Sequence, residues 1–161
     1  MNSSGISEIE QQCLAIRKIG REKFSGGYER IVFTNGCFDI LHPGHLIVLR
    51  RGRELAGTRG ALVVGINDDE SVLRLKGVGR PVMVLAARSE ILLALRFVDH
   101  VIPFGGDNPQ ELIEKLRPGT VLKGGDYDPA KIVGAKLAFT TVSGYDPAWS
   151  TSDIVKKIKG E

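Results

Sequence analysis

The chain has 161 residues, 42% apolar and 25% charged, with a formal net charge of +3. That suits one domain with a sizeable core, and the charge is too small and too evenly spread to point to nucleic acid. No apolar run approaches the roughly 20 residues of a membrane span, and MNSSGISEIE lacks the basic and apolar regions of a secretory signal, so no membrane and no nucleic-acid partner is expected.

Cys13 and Cys37 stand at no metal-ligand or redox spacing, which suits a reducing cytoplasm. Ile6, Ile9, Cys13, Ile16 and Ile19 recur at helical spacing over residues 6–20, and residues 21–29 read as a loop. Together they form an N-terminal segment, 1–29, ahead of a main domain at 30–161. Ile31–Thr34 reads as the first strand. A helix follows from about Gly44 to Ala56, with Gly57 as its stop. Ala61–Ile66 is β-branched and apolar on both faces, as a buried parallel strand should be.

Asp68–Leu73 reads as a short helix, and Arg74–Pro81, basic and glycine-rich, as a loop. Residues 84–96 form an apolar helix whose surface could pack on the sheet or support a homo-oligomer. Val98–Phe104, Thr120–Leu122 and Leu137–Val142 read as strands, and Pro109–Leu116 as a helix. Ser150, Thr151, Ser152 and Asp153 open the last helix with hydroxyls suited to an N-cap; its Lys156, Lys157 and Lys159 read as a solvated face. Strands alternating with helices predict an α/β domain: a parallel sheet of about five strands with helices on both faces. In such a sheet a ligand lies beyond the carboxyl ends of the strands.

Residues 31–45, IVFTNGCFDILHPGH, form the central constellation. Pro43 and Gly44 suit a first helical turn, whose free N–H groups and partial positive charge bind anions. His42 and His45 fall on one side of that turn. Two imidazoles there could steady charge on a phosphate under in-line attack. A structural cap and half of a metal site are the alternatives. A zinc site needs three or four ligands, and the only other histidine is His100, read as structural. Gly36 would let the backbone approach a ligand. Cys37 reads as a packing residue or, near a helix N-terminus, a nucleophile. Arg74, Lys76 and Arg80 lie on the same rim, where Lys76 could close over phosphates. Lys123 and Asp126 follow a later strand. Arg88 is either exposed or aimed at the phosphates. No P-loop is present.

TNGCFDILHPGH resembles the GxFDxxHxGH signature of the cytidylyltransferase-like nucleotidyltransferases. VGINDDESVLRLKGVGRPV, VDHVIPF and VLKGGDYDP are similar to the heptose 1-phosphate adenylyltransferases, including the adenylyltransferase half of the bifunctional ADP-heptose synthases. The resemblance covers roughly residues 30–135. It implies a single Rossmann-like domain that transfers AMP from ATP to a sugar 1-phosphate, with Mg²⁺ accompanying ATP. It implies His42, His45 and Lys76 as catalytic residues. Asn35, Gly36, Cys37, Phe38, Gly44, Lys123, Asp126 and Tyr127 would bind the nucleotide, and Ser150, Thr151 and Ser152 its outer phosphates. Asp39, Arg74, Arg80 and Arg88 are further candidates for phosphate or substrate. The late motif reads STSD where the family has STT, and YDPAW looks inserted. A cytidylyltransferase acting on an alcohol phosphate such as glycerol 3-phosphate, and a nucleotide-binding subunit without catalysis, are the competing functions.

Overall fold

The computed structural model describes residues 7–125, 128–143 and 148–160. Chain order is α1 (Glu8–Lys23), β1 (Ile31–Gly36), α2 (Pro43–Ala56), β2 (Ala61–Asn67), α3 (Asp69–Lys76), α4 (Leu85–Leu93), β3 (His100–Phe104), α5 (Gln110–Leu116), β4 (Thr120–Gly124), β5 (Phe139–Ser143) and α6 (Thr151–Lys159). A short 3-10 turn, Pro129–Lys131, precedes β5.

The five strands make one sheet in the order β3-β2-β1-β4-β5, with every pairing parallel. The apolar alternation of the strands feeds two cores, one on each face. Phe33, Val63, Ile102 and Val121 meet Cys13 and Ile16 of α1 and Leu112, Ile113 and Leu116 of α5. Val32, Leu62, Val64, Ile66 and Leu122 meet Leu49 of α2 and Leu92 of α4. Helices therefore cover both faces, as the strand and helix alternation predicts. The N-terminal helix belongs to this core, and Arg17 of α1 donates to the Lys115 and Leu116 carbonyls at the end of α5.

Several boundaries differ from the sequence expectation. β1 runs on through Asn35 and Gly36, because Asn35 pairs with Gly65 and Gly36 with Ile66 of β2. α3 reaches Lys76, so Arg74 and Lys76 are helical and the loop begins at Gly77. α4 is shorter than 84–96; it buries Arg88 and Leu92 and leaves Ile91 and Leu93 exposed. β3 starts at His100: Val98 N–H turns back onto the Leu95 carbonyl, and Asp99 N–H reaches the Leu62 carbonyl of β2 just before the ladder begins. Among the described residues no helix is long and apolar enough to cross a membrane.

The chain order reverses between β1 and β4. β2 and β3 lie to one side of β1, while β4 and β5 lie to the other. This switch point opens a crevice above the carboxyl ends of β1 and β4.

Candidate active site

The crevice is built on the link from β1 to α2. Phe38 takes a left-handed φ of 47°, which lays its ring over Gly36. A Cβ on Gly36 would come within 3.3 Å of that ring. The glycine expected to admit a ligand thus also makes room for Phe38. His42 is the N-cap of α2, with an extended backbone, and Pro43 follows in the first turn. The missing side chain at Gly44 leaves space for the His42 ring, 3.0 Å from where a Cβ would sit.

The two imidazoles lie 3.8 Å apart, and the His45 ring also rests 5.1 Å from Phe38. His45 Nδ1 accepts the His42 backbone N–H at 3.3 Å. That bond places the neutral ring's proton on Nε2, which becomes its donor. His42 Nδ1 is buried without a hydrogen-bond partner among the described residues. Burial lowers both histidines, and for His45 the neighbouring His42 adds to it, to about 4. Both rings are neutral donors at neutral pH.

They line a cavity of about 470 Å³. Residues 35–39 of the β1–α2 link, the cations Lys76, Arg80 and Lys123, and residues 150–152 at the start of α6 line it with them. Clefts of similar size elsewhere, about 480 and 540 Å³, hold none of the predicted residues. The convergence of polar groups, rather than volume, distinguishes this one.

Each group has a definite setting. Asp39 is fully buried and accepts from Val82 N (2.8 Å), Met83 N (2.9 Å) and the Arg80 guanidinium. Burial alone would raise its carboxyl, but these donors outweigh it and hold the group below its ordinary value. The bonds tie the segment after Gly77 to the β1–α2 link. Lys123 donates to Asn35 Oδ1 at 2.6 Å, and burial pushes its ammonium down to about 8. Burial also pushes the Cys37 thiol up, with Lys76, Arg88 and Arg80 only partly opposing. Cys37 is therefore a thiol at neutral pH, not a ready nucleophile.

The start of α6 reaches the site through Thr151 Oγ1, which donates to the Ile40 carbonyl at 3.3 Å. Ser150 Oγ caps α6 by accepting from Asp153 N at 3.1 Å. The same hydroxyl donates to Asp153 Oδ2 at 2.6 Å.

This Rossmann-like sheet, with an HxGH turn at its switch point, is matched by the cytidylyltransferase-like family model over residues 33–156. The chain belongs to the cytidylyltransferase-like family. Among similar proteins, the bifunctional protein HldE of Pseudomonas aeruginosa (strain LESB58) is 44% identical over 160 residues. The match spans 96% of this chain and 32% of that protein. HldE of Haemophilus ducreyi is 47% identical over 136 residues, spanning 81% of this chain and 28% of that protein. The chain thus spans at most about a third of these relatives. A solved lipopolysaccharide core biosynthesis protein from Thermoplasma volcanium shares the fold, with a TM-score of 0.57 at 21% identity. It covers 75% of this chain and 98% of that one.

Two of the predicted cations do not line the cavity of this cytidylyltransferase-like chain. Arg74 turns to the next strand end, pairing with Asp107 at 3.0 Å and donating to the Gly105 carbonyl at 2.6 Å. Arg88 is neither exposed nor aimed at phosphates. It is 1% exposed, and its guanidinium donates to the carbonyls of Met83, Cys37 and Asn67 and to Asp69 Oδ1. Gly44 stands behind His42, and Asp126 and Tyr127 lie outside the described residues.

The cavity also takes in Asn67, Leu75, Asp107 and Trp149, which the sequence reading passed over. Asn67 had a signal: it closes β2 as a polar residue after an apolar run, much as Asn35 stands near the end of β1. Trp149 directly precedes the late motif. Leu75 and Asp107 carried none, since their inclusion follows from the full length of α3 and from the Arg74–Asp107 pair.

Proposed function

We propose that this chain is a nucleotidyltransferase that moves AMP from ATP to a sugar 1-phosphate. The sugar would be D-glycero-D-manno-heptose 1-phosphate, and the products ADP-heptose and pyrophosphate, for a lipopolysaccharide or surface-glycan precursor. The observation that carries the proposal is the close, neutral His42–His45 pair at the N-terminus of α2, lining a cavity that also takes in lysine and arginine. The similarity to HldE over nearly the whole chain supports the heptose assignment.

The attacking phosphate is largely ionised near neutral pH, its second pKa being about 6. No general base is then needed. Imidazole N–H donors and the free N–H groups of α2 would steady the charge that develops on the α-phosphate. Lys76 would hold the leaving pyrophosphate, and the start of α6 the outer phosphates. Catalysis on this scheme is positioning and charge stabilisation.

Mg²⁺ would neutralise part of the triphosphate charge. Among the described residues no group of three or more His, Cys, Asp or Glu could cage a metal ion. The cavity is edged by cations, and the Asp39 carboxylate is already taken by Arg80 and two backbone N–H groups. The residues thus fit an ion carried on ATP by phosphate oxygens and water, not one held by the protein. We assign the reaction to the cytoplasm, where ATP is available, and leave a homo-oligomer as the arrangement to test by light scattering.

One observation favours a second reading, a nucleotide-binding subunit without catalysis: Asp153 occupies the Ser150 hydroxyl that the family's late motif offers to phosphate. Incubation with ATP, GTP, CTP and UTP against heptose 1-phosphate anomers and glycerol 3-phosphate, with mass detection of products, separates the readings. ADP-heptose formation supports the proposal. CDP-glycerol assigns the chain to the cytidylyltransferases of alcohol phosphates. ATP binding with no product across the panel leaves the non-catalytic subunit.

A further inference from the structure

The Lys123–Asn35 pair spans the switch point itself. Asn35 stands one residue before the end of β1 and Lys123 one before the end of β4. Their side chains meet at 2.6 Å in the cavity lining. An ammonium has three donors, and Asn35 Oδ1 takes one of them. Among the described residues no carboxylate pairs with Lys123. A half-buried cation with no carboxylate partner among the described residues gains from an anion that completes it. The drop of this ammonium to about 8 through burial agrees with a missing counter-charge.

The strand order indicates which anion. The sequence β2-β1-β4 puts the histidines, which follow β1, between two lysines: Lys76 beyond β2 and Lys123 at the end of β4. In-line displacement also has two flanks, one for the leaving group and one for the entering group. With Lys76 assigned to the leaving pyrophosphate, the strand order leaves Lys123 on the other side of the histidines. We propose that Lys123 binds the phosphate of the sugar phosphate and that Asn35 positions the Lys123 ammonium, in place of the nucleotide contacts that the family resemblance implies for both; this rests on the adenylyl-transfer reading above. An oxygen of that phosphate dianion bonds to the α-phosphorus. The bond from the α-phosphorus to the bridging oxygen breaks, and pyrophosphate leaves with the electron pair. No proton is transferred.

The test uses Lys123→Met, which keeps the side chain's length without its charge, and Asn35→Ala. Loss of a charged hydrogen bond predicts a rise of about tenfold or more in KM for heptose 1-phosphate in Lys123→Met, with ATP affinity changed by less than about twofold. Trp149, the one tryptophan, lines the same cavity, so its fluorescence should report ATP binding. Asn35→Ala should raise the same KM by a smaller factor, again without moving ATP affinity. Weaker ATP binding with an unchanged acceptor KM overturns the assignment, as does no change in either. If the wild-type protein releases no pyrophosphate, the adenylyl-transfer reading fails separately. Calorimetry with inorganic phosphate, in the presence of an ATP analogue carrying a methylene between its α- and β-phosphorus, then decides on Lys123. Phosphate binding by the wild type but not by Lys123→Met supports the site. Equal binding by both, or none by the wild type, rules it out.

Discussion

His45 Nδ1 accepts the backbone N–H of His42 at 3.3 Å, while the two rings stand 3.8 Å apart. One contact thus caps a helix, fixes a tautomer and aligns two donors. Sequence spacing supplies the pair, and the extended backbone at His42 supplies its geometry.

The first prediction concerns those donors. His45→Ala and His42→Ala should each lower kcat by roughly 10²-fold, the scale of a lost transition-state donor. Their stability should change by only about 1 kcal/mol, the scale of one capping bond. Initial rates of pyrophosphate release and urea midpoints measure the two effects. Near-wild-type turnover in both variants would remove the histidines from the chemistry.

The second prediction is a pH dependence. His45 titrates near 4 in the folded chain, against an ordinary value of 6.5. Between those values the unfolded chain binds a proton that the folded one does not, so stability rises with pH through that window and falls as pH drops. Burial lowers His42 in the same sense. The urea midpoint should therefore decline from pH 6.5 toward 4, and His45→Asn should flatten the decline. Triphosphate binding should favour the imidazolium, so ATP should bind with proton uptake near pH 6. Calorimetry in buffers of different ionisation enthalpy reads the uptake, and the difference between wild type and His45→Asn isolates the imidazole's share from that of the phosphate, which titrates in the same range; no difference would contradict ATP contact with His45.

The third prediction concerns Arg88. Its guanidinium joins the β1–α2 link, the end of β2, the start of α3 and Met83, two residues before α4. Arg88→Met leaves three carbonyls and Asp69 without this donor. Breaking a buried charged network of this kind costs about 3 kcal/mol or more. Arg88→Lys keeps the charge but loses the planar fork, and should be intermediate. Chemical denaturation gives the order wild type, lysine, methionine. A methionine variant of wild-type stability would show that the four contacts do not hold these segments together.

Much of this was legible in the sequence where the chemistry is local. HPGH, with a strand before it and an apolar helix after it, announces an anion-binding helix start by residue type alone. The β2 run is apolar at nearly every position and reads as a central parallel strand. What escaped depends on distant partners. β1 keeps Asn35 and Gly36 because β2 pairs with them. α3 reads as ending at Leu73 because Arg74–Pro81 is basic and glycine-rich, yet Arg74, Leu75 and Lys76 continue the helix up to Gly77. Arg88 was ambiguous because three of its acceptors are carbonyls, which every residue possesses and no side-chain pattern reveals.

The last prediction concerns the late motif. Asp153 sits in the first turn of α6, where its carboxylate accepts the Ser150 hydroxyl. A carboxylate near a helix N-terminus is favourable to the helix by roughly 0.3–1 kcal/mol. The same charge opposes any phosphate brought to that end, and it withholds a hydroxyl donor. Asp153→Thr, which removes the charge and frees Ser150, should therefore bind ATP more tightly and lose a little stability. Its advantage should shrink as ionic strength rises, because the removed term is an exposed charge repulsion. Trp149 fluorescence titrations at low and high salt, with a thermal melt, measure both effects. Unchanged ATP affinity in Asp153→Thr would mean that the outer phosphates do not meet this helix, and the role assigned to Ser150, Thr151 and Ser152 would fall with it.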